Sequence, residues 1–467
     1  MNLFLPSDQR PVHFVGIAGA GMSALAMLAL RRGVKVTGSD RAPEGAPDLV
    51  TSGATVFSGH DAKFVEGARA VVASAAIPED HPELARAREL GIPIVTRKRA
   101  LADLVATGLT VAVAGTHGKT TTTVMITEAL AAGGLDPTGL AGGRVGAWGG
   151  NARPGSDTLF VIEADEYDQA FLELDPAIAV VNNVEPEHLE CYNGSAQELE
   201  AAFAEFAGRA ETAIIGCADD ASDRLAERLK AQGAGRGTRA TKIVRFGGNL
   251  SDYSLRTVTA NRSGTVAVVG LPGGGEAVLR LKVPGIHNIL NATAAIAVVV
   301  TLEGDMPKAL EALSQFTGVG RRFEHRGEAG GVLVVDDYAH HATEVRATLA
   351  AAHQAFPGRR IVAVFQPHLY SRTQAQHVAL GEALSTAGLA VVTEVYGARE
   401  APIPGVSGRL VYDAVLKRGT PAEFAGNRAE LLDMVAGAVH SGDVVLTLGA
   451  GDITTLGPDL LARLRKQ

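Results

Sequence analysis

One loop of the chain combines the residue types that bind phosphate. It follows an apolar run from Val111 to Ala114 and precedes a helical pattern from Thr122 to Leu130. Glycines let backbone N–H groups turn towards a ligand, a helix N-terminus adds partial positive charge, a lysine neutralises phosphate oxygens, and a threonine hydroxyl can bind Mg²⁺. We therefore predict that a nucleoside triphosphate binds here, with Lys119 on the phosphates and Thr120 on Mg²⁺. The loop residues are Gly115, Thr116, His117, Gly118, Lys119, Thr120 and Thr121.

The loop departs from the usual G-x-x-x-x-G-K-[ST] pattern at one position. Val113 stands where that pattern has its first glycine, so the loop is a shortened variant that begins at Gly115. The alternative is an ordinary strand-to-helix turn with a solvated lysine, but the strand before the loop and the helix after it favour phosphate binding. We expect Lys119 to face solvent and to support no core.

Two further apolar runs end in polar residues. Thr158 to Glu166 contains Glu163, and Ala177 to His188 ends in a histidine. In parallel α/β sheets the ligand lies beyond the carboxyl ends of the strands, so Glu163 and His188 are expected on the side of the sheet where Lys119 lies. This arrangement predicts two Mg²⁺ ligands beside the phosphates, although solvated strand ends would show the same pattern.

The N-terminal stretch reads as strand, glycine turn and helix. Gly19, Gly21 and Ala24 follow the strand Val12 to Ile17, and Asp40 stands about 20 residues further on, which is the dinucleotide-binding fingerprint. A helix N-terminus reached through glycines binds any diphosphate, and an acid there can accept any ribose hydroxyls. NAD and a UDP-sugar therefore remain alternatives for this site.

A third α/β unit begins near Gly318. Its strands Gly331 to Val335 and Ile361 to Phe365 each run into a cluster of aspartate, histidine, tyrosine or arginine residues, and we expect these clusters to form one ligand-facing edge. His340 and His341 follow two aspartates, which suggests zinc. We reject zinc there because consecutive residues at a strand end point apart and no third ligand is well placed in sequence.

Composition narrows the function classes. The chain has 467 residues, which predicts about three domains, with 46% hydrophobic and 20% charged residues. A net charge of −8 gives no basic field for nucleic acid or an anionic membrane. Cys191 and Cys217 are too few for a disulfide framework, and neither a signal peptide nor about 18 consecutive apolar residues is present. We expect a cytoplasmic α/β protein, with monomer and homodimer both open.

Six motifs occur in order along the chain, and together they resemble the Mur ligase family of bacterial cell-wall synthesis. The resemblance covers nearly the whole chain. The motifs Asp336 to His341 and Phe365 to His368, together with His117, are far more specific to the family member than the phosphate loop is. That combination is similar to the member that adds the first amino acid. The motifs are Gly115 to Thr122, Glu163 to Glu166, Pro284 to Asn291, Gly320 to Phe323, Asp336 to His341 and Phe365 to His368.

The resemblance implies three domains. Residues 1–107 would be a Rossmann-like UDP-sugar domain, 108–317 a central P-loop ATPase-like α/β domain, and 318–467 a Rossmann-like C-terminal domain. It also decides for a UDP-sugar over NAD in the first domain. The implied UDP-sugar contacts are Gly19, Ala20, Gly21, Met22, Ser23, Asp40 and Ser74.

The implied activity is an ATP-dependent ligation in peptidoglycan synthesis. ATP would phosphorylate the lactyl carboxylate of UDP-N-acetylmuramate, the amine of L-alanine would attack the acyl phosphate, and phosphate would leave. The protein would supply alignment and charge, with Mg²⁺ on Thr120, Glu163 and His188. The implied catalytic residues are Lys119, Glu163, His188 and Arg322.

The remaining family roles fall on the end of the central domain and on the third. The implied nucleotide contacts are His287, Asn288, Asn291 and either Asp336 or Asp337. The implied amino-acid contacts are Tyr338, His340, His368 and Arg372. Some relatives have an arginine where this chain has Leu369, which leaves Arg372 as the carboxylate ligand, with Arg399 as the second choice.

Two further differences from relatives bear on metal binding. Glu187 precedes His188 where the family has aspartate, and the stretch Glu200 to Ala204 has no lysine that could be carbamoylated.

Three other functions remain possible from the sequence. They are a ligase that recycles a murein tripeptide, an NAD-dependent oxidoreductase, and an ATP-driven binding protein without chemistry.

Overall fold

The structure is a computed structural model that describes residues 3–74, 76–233, 241–261, 264–398 and 400–466. Its secondary structure is mixed α/β, as the sequence predicts, and four sheets follow one another along the chain. The sheets contain five, seven, three and six strands in that order.

The first sheet is parallel, with strand order β3-β2-β1-β4-β5. The order reverses between β1 and β4, and in such sheets a ligand binds in the crevice at this reversal. The glycine turn after β1 opens there. The strands are β1 Val12–Val15, β2 Val36–Asp40, β3 Thr55–Ser58, β4 Ala70–Ala73 and β5 Ile94–Thr96. The helices are α1 Ala20–Arg31, α2 Pro47–Thr51, α3 Pro82–Glu89 and α4 Arg97–Val105.

The second sheet has the order β12-β11-β10-β6-β9-β7-β8, in which only the pair β7 and β8 is antiparallel among those recorded. Its central strand β6 leads into the phosphate loop, and β9 and β10 flank it. The strands are β6 Leu109–Ala114, β7 Pro137–Val145, β8 Gly150–Arg153, β9 Ser156–Glu163, β10 Ile178–Val181, β11 Thr212–Gly216 and β12 Lys242–Phe246. The helices are α5 Lys119–Ala132, α6 Ala196–Arg209 and α7 Asp220–Gly233.

The third sheet has three strands in the order β13-β14-β15, and sequence analysis did not predict it. The alternation of exposed and buried residues along β15 is the period-two signal that could have revealed it. The strands are β13 Ser254–Asn261, β14 Gly264–Gly270 and β15 Glu276–Leu281. The helices α8 Ile286–Thr301 and α9 Met306–Gln315 follow.

The fourth sheet has the order β16-β17-β21-β18-β19-β20, parallel except for β16. It is covered on both faces, because Val335 and Val334 of one strand belong to different apolar clusters. The strands are β16 Glu324–Ala329, β17 Val332–Asp337, β18 Ile361–Phe365, β19 Leu389–Thr393, β20 Ala422–Ala425 and β21 Val444–Leu448. The helices are α10 Ala342–Ala355, α11 Tyr370–Leu384, α12 Arg409–Leu416, α13 Arg428–Ala438 and α14 Leu456–Leu464.

The chain divides into two compact units. The first comprises residues 1–257, 267–279 and 290–315, and the second comprises residues 258–266, 280–289 and 316–467. The first two sheets therefore share one unit, and the boundary predicted after residue 107 falls inside it. The described helices include none that is both long and apolar enough to cross a membrane.

Candidate active site

The phosphate loop depends on two glycines with left-handed backbone angles. Gly115 has a φ of 131° and Gly118 a φ of 79°, and α5 begins at the next residue. A Cβ atom on Gly118 would lie 2.8 Å from Oδ1 of Asn291. Glycine is therefore required at position 118 both for its backbone angle and for the close approach of that side chain.

The end of β10 holds the loop in place. The Nδ2 group of Asn183 donates to the His117 carbonyl at 3.2 Å, and Oδ1 of Asn183 accepts from the His117 N–H at 2.8 Å. The Thr116 hydroxyl donates to the Glu185 carbonyl and accepts from the Glu185 N–H. Sequence analysis assigned no role to Asn183, because nothing in its local pattern distinguishes it from other residues at strand ends.

Lys119 is paired and mostly buried, so the expectation that it faces solvent is wrong. Its side chain is 15% exposed, and Nζ lies 2.8 Å from both carboxylate oxygens of Glu166. Nζ also donates to the Gly115 carbonyl at 2.7 Å. Burial lowers the pKa of Lys119, but the carboxylates of Glu166, Asp165 and Glu163 outweigh it and hold the pKa above its ordinary value. Lys119 is therefore a cation fixed at the loop.

The three predicted Mg²⁺ ligands follow three adjacent strands, β9, β6 and β10. Thr120 lies in the first turn of α5, and Thr121 follows it. Glu163 is the last residue of β9, and its carboxylate accepts a hydrogen bond from the Gly142 N–H at 2.6 Å. His188 has a φ of 53°, a costly angle for a residue other than glycine, and packs edge-on against Tyr167. Metal binding by these residues stays a prediction.

The predicted UDP-sugar residues surround the turn after β1. Gly19 is the N-cap of α1, and Ala20, Gly21, Met22 and Ser23 form its first turn. The Asp40 carboxylate accepts hydrogen bonds from the N–H groups of Ala18 and Ala42 at 2.9 Å. Asp40 therefore shapes this loop, and a ribose would compete for its oxygens. Ser74 directly follows β4, the strand next to β1.

A small cavity lies between the turn predicted to bind the UDP-sugar and the Glu163 carboxylate at the end of β9. It has a volume of about 70 Å³, and its lining includes Gly21, Glu163 and Arg97. The Arg97 guanidinium lies 3.6 Å from the Asp165 carboxylate, and a Cβ atom on Gly21 would approach it to 2.9 Å. Arg97 opens helix α4 after β5, and sequence analysis overlooked it because that strand end carries no recognisable motif.

In the second unit, the predicted amino-acid residues form an aromatic cluster. The rings of Tyr338 and His368 lie 5.1 Å and 5.5 Å from the ring of His340. Burial holds the pKa of His340 well below its ordinary value and lowers the pKa of His368 to about 4, with Arg372 adding to the second shift. These imidazoles are therefore neutral at physiological pH.

Arg372 is 8% exposed and lies inside this cluster. Its Nη1 is 3.1 Å from Nδ1 of His368 and donates to the His368 carbonyl at 3.3 Å. Leu369, between them in the chain, has a φ of 69°. Arg399, the second choice for the amino-acid carboxylate, lies outside the described residues.

Two arginines flank Tyr338. The guanidinium groups of Arg321 and Arg322 lie 4.9 Å and 5.0 Å from the centre of its ring. Arg321 also donates to the Gly449 carbonyl at 2.7 Å, whereas Arg322 lies 3.8 Å from the Glu344 carboxylate. Burial, together with the charge of Arg322, lowers the pKa of His287 to about 4.

Three of the remaining predicted nucleotide residues already have hydrogen-bond partners. Asp336 accepts from the hydroxyls of Thr447 and Thr454, and Asp337 accepts from two backbone N–H groups. Burial raises the pKa of Asp337 to about 6. Asn288 donates to the Pro284 carbonyl at 2.7 Å. Ribose contact by either aspartate stays a prediction, and the structure offers Asp337, 7% exposed, ahead of the fully buried Asp336.

Successive α/β units, one of them with a phosphate loop, are the architecture of a class of ATP-using ligases. The chain belongs to one family of that class, the Mur ligase family. Its catalytic domain matches residues 11–108, its middle domain residues 113–299 and its glutamate ligase domain residues 321–451.

Known relatives match this chain over nearly its full length. A UDP-N-acetylmuramate–L-alanine ligase of Renibacterium salmoninarum is 44% identical over 98% of this chain and 97% of its own. The crystal structure of a UDP-N-acetylmuramate-alanine ligase from Thermotoga maritima has a TM-score of 0.82 at 31% identity, covering 98% and 99% of the two chains. A murein peptide ligase from Psychrobacter arcticus shares the fold, with a TM-score of 0.71 at 24% identity.

Proposed function

We propose that this chain joins L-alanine to the lactyl carboxylate of UDP-N-acetylmuramate at the expense of ATP, in peptidoglycan synthesis. The observation that carries the proposal is the cavity shared by Gly21, Arg97 and Glu163. It connects the turn assigned to the UDP-sugar with the strand end beside the phosphate loop. In this proposal the lactyl carboxylate of the substrate lies beside Glu163, at the end of the strand next to the one that leads into the loop of Lys119.

The reaction has two covalent steps. A lactyl carboxylate oxygen attacks the γ-phosphorus of ATP, the bond to the bridging oxygen breaks, and ADP leaves. The neutral amine of L-alanine then attacks the acyl carbon, and inorganic phosphate leaves as the amide forms and the nitrogen loses a proton. Because the substrates supply the bonds, the protein contributes alignment and charge stabilisation.

Lys119 supplies fixed positive charge in the first step. Its raised pKa keeps it protonated, and its partner carboxylates hold Nζ at the loop before the nucleotide arrives. A preorganised cation avoids the cost of reorganisation during phosphoryl transfer. Arg322 is the second predicted cation of the reaction.

The oxygen donors of Thr120 and Glu163 suit Mg²⁺, which prefers oxygen ligands and retains several waters, and His188 would add a single nitrogen ligand beside them. Glu163 would exchange its hydrogen bond from Gly142 for the ion. When bound, Mg²⁺ supplies charge neutralisation at the β- and γ-phosphates. We place the reaction in the cytoplasm, where ATP is available.

Tyr338, His340, His368 and Arg372 would bind L-alanine. The neutral ring of His340 donates from Nδ1 to the Tyr338 carbonyl, so its Nε2 can accept a hydrogen bond from the ammonium group and, once that group is deprotonated, leave the amine nucleophilic. Arg372 offers a guanidinium for the carboxylate.

Phosphate release tests this function directly. We expect release only when ATP, Mg²⁺, UDP-N-acetylmuramate and L-alanine are all present, with one amide product per phosphate. Release with the murein tripeptide in place of L-alanine, at equal or higher kcat/KM, would reassign the chain to tripeptide recycling. Fluorescence quenching of NADH on titration, without ligation, would favour an oxidoreductase instead.

A further inference from the structure

A buried carboxylate in the N-terminal sheet collects three side chains that the proposed function does not use. Glu83, in the first turn of α3, is fully buried. Its Oε1 lies 3.0 Å from Nδ1 of His60, and its Oε2 lies 2.8 Å from Nε2 of His13 and accepts from the Ser39 hydroxyl at 2.9 Å. The other ring nitrogen of His13 is 2.9 Å from the Thr37 hydroxyl. The carboxylate is thus held firmly in one orientation.

A third histidine lies near this carboxylate and has an unused nitrogen. His81 occupies the N-cap position of α3 but makes no side-chain capping bond. Its Nδ1 is buried and has no hydrogen-bond partner within the described part of the chain. The rings of His81 and His60 meet edge-on with centroids 4.6 Å apart. A buried ring nitrogen without a partner is costly, which points to a ligand that the nitrogen would bind.

The donor atoms are close enough to share one ion. One ligand atom each of His60, His81 and Glu83 lies within 4.8 Å of the other two. Donors around tetrahedral zinc lie about 3.3 Å apart, given bonds of about 2.0 Å. Small rotations of the two imidazoles, which are only partly buried, would close the difference.

The donor types select the metal. Two imidazoles and one carboxylate match a three-ligand zinc site, whereas Mg²⁺ prefers all-oxygen coordination and cysteine is absent here. His13 and Ser39 contact Glu83 as second partners that orient a metal ligand commonly do, and the Ser39 hydroxyl also lies 3.1 Å from Nδ1 of His60.

We propose that His60, His81 and Glu83 form a binding site for a zinc-class divalent ion, separate from the predicted Mg²⁺ site. The ion joins the loop after β3 to the start of α3. Ser39, which contacts Glu83, also accepts hydrogen bonds through its carbonyl from Gly16 and Ile17, at the start of the glycine turn. An occupied site therefore stiffens the support of that turn.

Metal titration of the full chain tests the proposal. The chelator-treated protein is titrated with Zn²⁺ against a chromophoric chelator, and with Co²⁺ while its visible d–d absorption is recorded, both in saturating Mg²⁺. We expect one tight equivalent with a tetrahedral Co²⁺ spectrum. Failure of the wild-type chain to bind Zn²⁺ more tightly than about 10 μM, a weak site by the standard of structural zinc, would overturn the proposal.

Variants locate the ion. His81→Asn removes the unused nitrogen, so the metal-free fold should keep its circular dichroism and thermal midpoint, while Zn²⁺ affinity falls at least tenfold. His60→Asn should lower Zn²⁺ affinity likewise, but it also removes a hydrogen bond to Glu83 and should lower the thermal midpoint. His440→Asn, at an exposed histidine of the second unit, is the matched control and should bind Zn²⁺ as the wild type does. If His188→Ala loses the ion and His81→Asn retains it, the zinc occupies the predicted Mg²⁺ site and the proposal is wrong.

Discussion

Lys119 and Glu166 form a two-pronged ion pair in which the lysine Nζ lies 2.8 Å from each carboxylate oxygen. Glu166 is 2% exposed, and its backbone carbonyl accepts a hydrogen bond from the Tyr192 hydroxyl at 2.5 Å. The lysine of the phosphate loop therefore has a fixed anionic partner. A γ-phosphate bound at the predicted position would have to share or displace that partner.

Lys119→Ala should reduce ligation at least a hundredfold, because one preorganised charge on the transition state is worth about 3 kcal/mol or more. It should also destabilise the first unit, because removing one partner of a buried pair costs about 3–5 kcal/mol. Urea unfolding followed by Trp148 fluorescence reports that unit, and phosphate release reports activity.

The double variant Lys119→Ala/Glu166→Gln separates the two effects. Without the unpaired carboxylate, stability should return to within about 1 kcal/mol of wild type, while activity stays lost. A double variant that retains more than about a tenth of the wild-type rate would refute the role of Lys119 in phosphoryl transfer.

Glu163→Gln and His188→Ala should each raise the Mg²⁺ concentration needed for half-maximal rate, or stop turnover, because each removes a predicted ligand. UDP-N-acetylmuramate affinity, measured by calorimetry without ATP, should stay within about twofold. An equal loss of UDP-sugar affinity would show that these residues support the structure of the first unit and not the metal.

Arg97→Ala should raise the KM for UDP-N-acetylmuramate at least tenfold, because a charged hydrogen bond to the substrate is worth about 1.5–3 kcal/mol. Arg99→Ala is the control on the same helix, since Arg99 is 61% exposed and pairs with Asp103. The KM for ATP should not change in either variant. Equal effects of the two substitutions would remove Arg97 from the substrate site.

The sequence was sufficient where the fold rests on local pattern. The phosphate loop, the strands β6, β9 and β10, and the polar ends of β17 and β18 combine chemistry and structure within a dozen residues. Within the second sheet, strand order brings the ends of β6, β9 and β10 together, and within the fourth sheet it brings the ends of β17 and β18 to one edge.

Sequence reasoning failed where distant elements meet. The pairing of Lys119 with Glu166 joins residues 47 apart, and its burial reversed the expectation of a solvated lysine. Arg97 reaches the cavity from the start of α4. His60, which follows the end of β3, contacts Glu83 in the first turn of α3. No period or motif marks such contacts, because tertiary packing alone creates them.

Lowering the pH from 6.5 to 4 should destabilise the second unit against unfolding. Burial lowers the pKa of His287 from 6.5 to about 4, so the neutral form is favoured in the fold. The contribution of neutral His287 to the free energy of unfolding is full above pH 6.5. It is lost as pH falls through about 4, which lowers that free energy by about 3 kcal/mol. His368 shifts in the same direction.

Asp337 offsets part of this loss. Its pKa is raised from 3.8 to about 6, so its contribution is full below pH 3.8 and is lost as pH rises through about 6. Hydrogen exchange of the β17 amides should therefore accelerate from pH 6.5 to pH 4.5 after correction for intrinsic rates, less steeply in His287→Asn and more steeply in Asp337→Asn. Identical slopes in all three proteins would contradict these assignments.

Arg372→Lys tests the grip on the amino acid. The substitution keeps the charge but loses the planar fork that can bind a carboxylate with two hydrogen bonds. Because Arg372 already contacts His368 through Nη1, we expect the fork to present its remaining N–H groups to L-alanine. The KM for L-alanine should rise at least tenfold, whereas the KM values for ATP and the UDP-sugar should stay within about twofold, since a lost bidentate contact costs about 1.4 kcal/mol or more. Glycine and L-serine should remain weak substrates, because one methyl group or hydroxyl changes binding by only about 1–3 kcal/mol. If the KM for L-alanine stays within about twofold of wild type while the others rise, Arg372 does not bind the carboxylate, and Arg399→Lys becomes the variant to measure.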